Sequence, residues 1–191
     1  MLDRSEILPM VVERPSDYLI IAGLGNAATD AARLADGAAS VYPLGGAMGA
    51  AVPMGLGLAL AQPRRRVLVM TGDAEILMSL GSLATVAVQD PGNLSIICLD
   101  NEHNCLTGQQ RSHTSYVTDL EKVAVGAGIR HTLTVDRPEA ASEAAKLIQM
   151  DDHVSFVAIK VRVGDSPHYA HSLDAAVCRR RFRQDLLGVA D

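Results

Sequence analysis

Short apolar runs alternate along the chain with segments in which apolar residues recur at helical spacing. The runs at 18–22, 67–70, 94–99, 131–135 and 154–161 predict buried strands. Helical spacing predicts helices over 3–13, from the turn at 23–26 to 35, from about 45 to 62, and over 75–89, 119–126, 137–150 and 172–187. The segment 36–43 is predicted as a loop. This alternation predicts an α/β fold: a three-layer, doubly wound, mostly parallel sheet with helices on both faces.

The stretch from Thr71 to Asn104 contains the candidate metal-binding residues. One strand stops at Gly72-Asp73, and the next stops at Asp100-Asn101, about one strand–helix–strand unit of ~30 residues later. The carboxyl ends of neighbouring parallel strands meet at one sheet edge, where open α/β sheets bind ligands. A carboxylate and an amide oxygen converge there, and such oxygens suit Mg²⁺, which completes its shell with water and phosphate.

Two motifs carry a family resemblance. Gly72-Asp73-Ala74 followed by Asp100-Asn101 resembles the thiamine diphosphate fingerprint, in which GDG precedes a paired NN. The segment Gly45-Gly46-Ala47-Met48 resembles the GSMG stretch of sulfopyruvate and phosphonopyruvate decarboxylases. The similarity runs over roughly 18–114 and is greatest to the small, separately encoded subunit of sulfopyruvate decarboxylases. Ala74 and Asp100 depart from the pattern, but the family's ligand is the second Asn, so no ligating side chain is lost.

The resemblance implies a specific cofactor site. Asp73, the Asn101 side-chain oxygen and the His103 backbone carbonyl would bind Mg²⁺. Met48 would lie beneath the thiamine and hold it bent; for an isolated Met, a core position is the alternative. Glu75 is interpreted as capping the helix that follows Asp73. The predicted cofactor-binding residues are Gly45, Gly46, Ala47, Met48, Gly72, Asp73, Ala74, Glu75, Asn101, His103, Asn104 and Cys105.

The polar loop 106–114 occupies the place of the family's TGGQPT-like loop. Gln109 and Arg111 replace Gly and Pro of that pattern, so the loop does not identify the substrate. Gln109, Arg111 and His113 are the candidate substrate contacts, because Arg and His can recognise a carboxylate, phosphonate or sulfonate. An exposed loop that contacts a partner subunit is an equally weighted interpretation.

The resemblance also implies a reaction and a partner. The expected activity is decarboxylation of a 2-oxo acid, 3-sulfopyruvate or a 3-phosphonopyruvate-like compound, to an aldehyde. The activating Glu of the family lies on a pyrimidine-binding domain, so we expect a pyrimidine-binding (alpha) partner subunit, an active site shared with it, and a larger hetero-oligomer. No catalytic residue is assigned within this chain. The alternatives are a cofactor-binding subunit of a 2-oxo acid oxidoreductase or carboligase, and a degenerate scaffold subunit, to which Ala74 and Asp100 give some weight.

Length, composition and charge restrict the classes of protein to which the chain can belong. The 191 residues fit one domain, 1–191, and 48% hydrophobic but only 3% aromatic residues predict a core of small aliphatic side chains. A net charge of −5 disfavours nucleic-acid binding. Three cysteines without CxxC spacing, no signal-peptide core and no membrane-spanning run predict a cytoplasmic protein. The C-terminal segment 165–191 carries Arg179, Arg180, Arg181 and Arg183, which indicates a solvated helix face or, as the second choice, subunit docking.

Overall fold

The computed structural model describes residues 1–188 as one parallel sheet covered by helices. The described helices are α1 (Arg4–Val11), α2 (Asn26–Leu34), α3 (Ala51–Ala61), α4 (Asp73–Met78), α5 (Gly81–Gln89), α6 (Leu120–Ala127), α7 (Ala141–Ile148) and α8 (Ala175–Leu187). The strands are β1 (Tyr18–Ala22), β2 (Val41–Pro43), β3 (Arg66–Gly72), β4 (Leu94–Asp100), β5 (His103–Asn104), β6 (Gln110–Arg111), β7 (His131–Val135) and β8 (Ser155–Lys160). The main sheet has the order β2-β1-β3-β4-β8-β7, and β5 and β6 form a small antiparallel ribbon.

Two apolar layers sandwich the main sheet, all of whose strand pairs are parallel. Alternate strand residues point to opposite faces. Ile20, Leu68 and Ile97 pack with α1, α2 and α7 on one side. Leu19, Val69 and Ile96 pack with α3, α5 and α6 on the other. The predicted three-layer, doubly wound α/β fold is therefore confirmed.

The structure differs from the predicted elements in several places. The helix predicted from about residue 45 begins only at Ala51, and the ribbon of β5 and β6 was not predicted. Residues 41–43, expected in a loop, form the edge strand β2; the strand is short and ends in a proline, so it has no detectable periodicity. The segment 75–89, expected as one helix, is divided into α4 and α5 at Ser79, whose backbone leaves the helical region. Because α4 packs on the ends of β3 and β4 whereas α5 packs beside α3 and α6, one straight helix cannot make both sets of contacts.

The C-terminal segment packs on its own chain; residues 189–191 of the predicted segment 165–191 lie outside the described residues. Ser166 N–H donates to Asn26 Oδ1 at 3.1 Å, and the Tyr169 hydroxyl donates to Asp36 at 3.1 Å. In α8, the Phe182 ring meets Tyr42 of β2 edge to face, with 5.7 Å between ring centroids. The segment therefore covers the β2 edge of the sheet, and its role in subunit docking stays a prediction. Among the described helices, none has both the length and the apolar character needed to cross a bilayer.

A matched glycine pair in α3 tests the packing of this helix on β3. A Cβ at Gly55 would lie 2.2 Å from Val69 Cγ2, whereas a Cβ at Gly57 would meet nothing within 4 Å. Gly55→Ala should therefore destabilise the chain by about 1–3 kcal/mol through overpacking. Gly57→Ala should stabilise it by up to about 1 kcal/mol, because alanine favours a helix interior. Denaturant unfolding of both variants measures the contrast, and equal effects would contradict the packing described here.

Candidate functional site

The candidate site is a cleft at the carboxyl ends of β1, β3 and β4. The chain leaves β1 for the edge strand β2, while β3 lies on the opposite side of β1, so the strand order reverses at this point. Such switch points are where open α/β sheets bind ligands. The cleft is open to solvent and has a cavity volume of about 120 Å³. Its lining includes Leu24, Gly25, Met48, Thr71, Gly72, Asp73, Ala74, Glu75, Asn101, His103, Asn104, Cys105, Leu106 and Thr107.

The predicted metal ligands all belong to this lining. Gly72 of β3 pairs with Leu99 of β4, so Asp73 and the Asp100-Asn101 pair leave the sheet side by side. Asn101 Oδ1 accepts a hydrogen bond from His103 N–H at 3.1 Å, which closes the turn that follows β4. The Asn101 amide nitrogen donates to Cys105 Sγ at 3.1 Å. The register of two strands and one turn thus brings Asp73, Asn101 and His103 to one cleft, as the sequence predicts.

The site contains two buried carboxyl groups. Asp73 is 2% exposed and Asp100 is 1% exposed. Burial is the main cause that raises the pKa of Asp73, and the negative charge of Asp100 adds to it, while hydrogen bonds from Ser112 and Thr114 act in the opposite direction. A cation bound in the cleft would favour the charged form of Asp73. The electrostatics of this carboxylate therefore fit a bound metal ion.

The kind of oxygen ligand also fits Mg²⁺ better than a transition metal. Within residues 1–188, no group of three or more His, Cys, Asp and Glu side chains is placed to hold a metal ion. The predicted ligand set falls outside such groups because it consists of one carboxylate, one amide oxygen and one backbone carbonyl. Hard cations with several remaining water or phosphate ligands use sets of this kind.

Asp100, which departs from the family pattern, has its own counter-charge. Lys160 Nζ donates to Asp100 Oδ2 at 2.7 Å and to Glu102 Oε1 at 3.2 Å. Partial burial lowers the pKa of Lys160, but the hydrogen bonds and charges of the two carboxylates outweigh burial and raise it. Thr114 Oγ1 and Glu102 N–H also donate to Asp100 Oδ1, at 2.7 and 3.1 Å. Lys160 was not foreseen, because it lies on β8, far from the motif in sequence.

Glu75 connects three segments that surround the cleft. Its carboxylate is buried and accepts hydrogen bonds from Leu24 N–H at 3.1 Å, Gly49 N–H at 3.2 Å and the Thr71 hydroxyl at 2.9 Å. A Cβ at Gly23 would lie 1.7 Å from Glu75 Oε2, so a side chain at this position would displace the Glu75 carboxylate. Glu75 lies in the first turn of α4, as expected of a residue that caps this helix, but its hydrogen bonds go to other segments and not to the N–H groups of α4. The sequence indicated only a turn into a helix at 23–26, whereas the structure shows that this turn is part of the site.

The Gly45–Gly49 segment contributes Met48 to the cleft. Met48 is 38% exposed and lines the cleft, which excludes the alternative that it is a core residue. Gly45, Gly46 and Ala47 are absent from the cleft lining. Gly45 has a positive φ of 63°, and a Cβ there would lie 3.3 Å from the Leu173 carbonyl oxygen, so the C-terminal segment adjoins this loop. The predicted contacts of Gly45, Gly46 and Ala47 with the cofactor therefore stay predictions.

The loop 106–114 divides its residues between the cleft and solvent. The candidate substrate contacts Gln109, Arg111 and His113 are exposed and lie outside the cleft lining. The Arg111 guanidinium donates to Ser115 Oγ and O, at 3.1 and 2.9 Å, and stacks over the Tyr116 ring at 4.5 Å. Their roles stay predictions. Two hydroxyl residues of the same loop, which the sequence did not single out, are instead buried against the site: Ser112 and Thr114.

Comparison with known proteins gives the class of this fold and site. Residues 23–159 match the family described as thiamine pyrophosphate enzyme, C-terminal TPP binding domain. The chain therefore belongs to this family, and the predicted family and its thiamine diphosphate cofactor are confirmed.

Particular relatives carry more specific names. The chain is 37% identical over 191 residues to the sulfopyruvate decarboxylase subunit beta of Methanothermobacter thermautotrophicus, covering 100% of this chain and 99% of the relative. It is 35% identical over 175 residues to the phosphonopyruvate decarboxylase of Streptomyces viridochromogenes, covering 91% of this chain but only 43% of that protein. A solved structure, described as a putative thiamin diphosphate-dependent enzyme from Mycobacterium smegmatis, has a TM-score of 0.71 at 19% identity over 85% of this chain and 32% of that one, which supports the fold.

Proposed function

We propose that this chain is the diphosphate- and Mg²⁺-binding subunit of a two-subunit, thiamine diphosphate-dependent 2-oxo acid decarboxylase. The observation that carries the proposal is the convergence of Asp73, Asn101, His103 and Met48 on one cleft at the switch point of the sheet. The decarboxylase names of the relatives, one of which aligns over 99% of its length, support the activity.

Five residues of the cleft have distinct parts in this proposal. Thiamine diphosphate, when bound, supplies the electron sink that decarboxylation of a 2-oxo acid requires. Asp73, the Asn101 amide oxygen and the His103 carbonyl would hold the Mg²⁺ that anchors the diphosphate. Met48 would support the thiamine from the Gly45–Gly49 loop. Glu75 would keep that loop and the β1 turn in fixed positions through its hydrogen bonds to Gly49 and Leu24.

A partner subunit completes the proposed site. The family model describes a C-terminal domain, and the relative that aligns over 99% of its length is named a subunit beta, so the pyrimidine-binding domain with its activating Glu is assigned to an alpha subunit. Exposed apolar side chains beside the cleft suit such an interface, since Leu106 is 74% exposed and Met78 is 64% exposed. The isolated chain is therefore expected to be inactive, and the assembly to be a larger hetero-oligomer.

The proposed substrate is 3-sulfopyruvate or a 3-phosphonopyruvate-like 2-oxo acid. The names of the relatives support this substrate class. Gln109, Arg111 and His113 remain candidates for the contact with the terminal anion. We also propose a reducing, cytoplasmic location, because Cys98, Cys105 and Cys178 are all free thiols.

Calorimetric titration tests the function directly. Thiamine diphosphate with Mg²⁺ is titrated into the chain alone and into the chain co-expressed with the product of the neighbouring gene. Binding that tightens with the partner and disappears with a chelator is expected, followed by turnover of 3-sulfopyruvate or 3-phosphonopyruvate in a 2-oxo acid screen. Full turnover by the purified single chain would contradict the partner proposal. Absence of binding in both preparations would favour a non-catalytic scaffold subunit, and ligation or oxidation products would favour a carboligase or oxidoreductase.

Met48→Ala separates a cofactor contact from a packing role. Because Met48 is 38% exposed, truncation should change the free energy of unfolding by less than about 1 kcal/mol, well below the 2–5 kcal/mol of a buried Met. The loss of cofactor-binding free energy should be larger than this change in the free energy of unfolding, and turnover should fall with it. Calorimetry and thermal unfolding of the same preparation measure both effects, with the exposed Met10→Ala as the control. A large loss of stability with unchanged affinity would contradict the assignment.

A further inference from the structure

A buried hydrogen-bond network joins the two acidic residues of the site through two hydroxyl groups. Ser112 Oγ donates to Asp73 Oδ2, and Thr114 Oγ1 donates to Asp100 Oδ1 at 2.7 Å. The two hydroxyl oxygens lie 2.8 Å apart, and Thr114 Oγ1 also lies 3.2 Å from Asp73 Oδ2. All four residues are at most 7% exposed. Solvent therefore has little opportunity to replace these contacts.

The number of protons decides which contacts are hydrogen bonds at one time. Each hydroxyl has one proton to donate, while two charged carboxylates can only accept. Four close contacts thus share two protons. The contact from Ser112 is the closest one to Asp73, and the contact to Asp100 is the shortest one that Thr114 makes to a carboxylate. Ser112 is therefore assigned to Asp73, and Thr114 is assigned to Asp100.

Asp100 has a further hydrogen-bond partner, which Asp73 lacks. Lys160 Nζ donates to Asp100 Oδ2 at 2.7 Å, so both carboxylate oxygens of Asp100 are engaged by side chains. The side-chain hydrogen bonds to Asp73 converge on Oδ2 alone. Asp73 also belongs to the cleft lining, and Asp100 does not. The network thus holds one carboxylate away from the cleft and orients the other at its wall.

We propose that Ser112 is a positioning residue that orients Asp73 for metal binding, while Thr114 and Lys160 keep Asp100 from competing as a ligand. This inference rests on the proposed function, because it requires Asp73 to bind the cofactor's metal ion. Partners of this kind commonly contribute 10- to 100-fold to metal affinity, since they fix the orientation of the ligating group. Asp100 in place of the family's first Asn is then tolerated because Lys160 neutralises it.

The test measures Mn²⁺ affinity by electron paramagnetic resonance in the presence of saturating thiamine diphosphate, using the preparation that binds the cofactor. Ser112→Ala should weaken Mn²⁺ binding about 10- to 100-fold. Ser112→Thr, which restores a hydroxyl, should recover most of this loss, whereas Ser112→Cys, a near-isosteric weak donor, should recover little. Thr118→Ala, in the segment that follows this loop and outside the network, is the matched control and should bind Mn²⁺ like the wild type.

Three results would overturn the proposal. Unchanged Mn²⁺ affinity in Ser112→Ala would show that the hydroxyl does not orient the ligand. Equal weakening in Ser112→Ala and Ser112→Thr would indicate a packing role for this position; if the alanine variant does not fold, the comparison of Ser112→Cys with Ser112→Thr decides the same question. Absence of Mn²⁺ binding by the wild type in every preparation would instead refute the proposed metal function, and this inference with it.

Discussion

Replacing Asp73 by asparagine should weaken metal-dependent cofactor binding more than 100-fold while leaving the metal-free chain folded and at least as stable as the wild type. The loss of a direct carboxylate ligand should exceed the roughly 10- to 100-fold effect of outer partners. The gain in stability follows from burial: Asp73 is 2% exposed, and its charged form is disfavoured by desolvation and by Asp100. Asparagine keeps an oxygen that can accept from Ser112 without carrying the charge.

The pH dependence gives this prediction a definite sign. The pKa of Asp73 is raised in the folded chain above its ordinary value of 3.8. The folded state therefore retains the proton more strongly than the unfolded state, and this contribution to stability is present in acid and lost as pH rises through the folded pKa. Asp73→Asn has no carboxyl proton to lose, so this decrease in stability with rising pH is absent from the variant. Its advantage in melting temperature over the wild type should be larger at neutral pH than below the unfolded pKa.

Calorimetry with Mg²⁺ and thiamine diphosphate, together with thermal unfolding in chelator at both pH values, measures the two parts of this prediction. Asp152→Asn removes an exposed carboxylate and is the matched control. Wild-type affinity in Asp73→Asn would refute the metal assignment. A lower melting temperature of the metal-free variant at neutral pH would show that the Asp73 charge stabilises the fold, contrary to the burial argument.

Glu75→Ala should destabilise the chain and disable the cleft together. The change leaves the Leu24 and Gly49 N–H groups and the Thr71 hydroxyl without their carboxylate partner. A buried donor left unsatisfied costs about 1–3 kcal/mol, so a total loss of about 2–4 kcal/mol in the free energy of unfolding is expected after partial relaxation and access of water. Because Gly49 follows Met48, cofactor affinity should fall beyond what the lost stability explains.

Glu75→Gln refines this result. The carboxylate receives Leu24 N–H on Oε2 and Gly49 N–H on Oε1, but an amide has one oxygen, so its NH₂ group must face a donor. The variant should therefore lie between wild type and Glu75→Ala in denaturant unfolding and in cofactor titration. Glu143→Ala, on the exposed face of α7, should change stability by no more than about 0.5 kcal/mol. A Glu75→Ala variant as stable as this control would contradict the connecting role.

The sequence was sufficient where a property depends on neighbours along the chain. Apolar runs predicted the principal buried strands because burial on both faces requires uninterrupted aliphatic residues. The placement of Asp73 and Asn101 at one edge followed from parallel topology alone, since polar residues that end adjacent parallel strands must meet. Met48 was identified through its motif, and its exposure at the cleft agrees with that identification.

Only the tertiary structure decided which distant groups share the site. Ser112, Thr114 and Lys160 meet Asp73 and Asp100 through a loop and a strand that no local pattern links to the motif. The carboxylate of Glu75 was expected to act on its own helix, but folding directs it to the β1 turn and to Gly49 instead. The physical reason is the same in both cases. Apolar periodicity and the positions of strand ends in the sequence indicate which residues are buried and which lie at the sheet edge. Hydrogen bonds between side chains distant in sequence depend instead on how the helices and loops pack over the sheet.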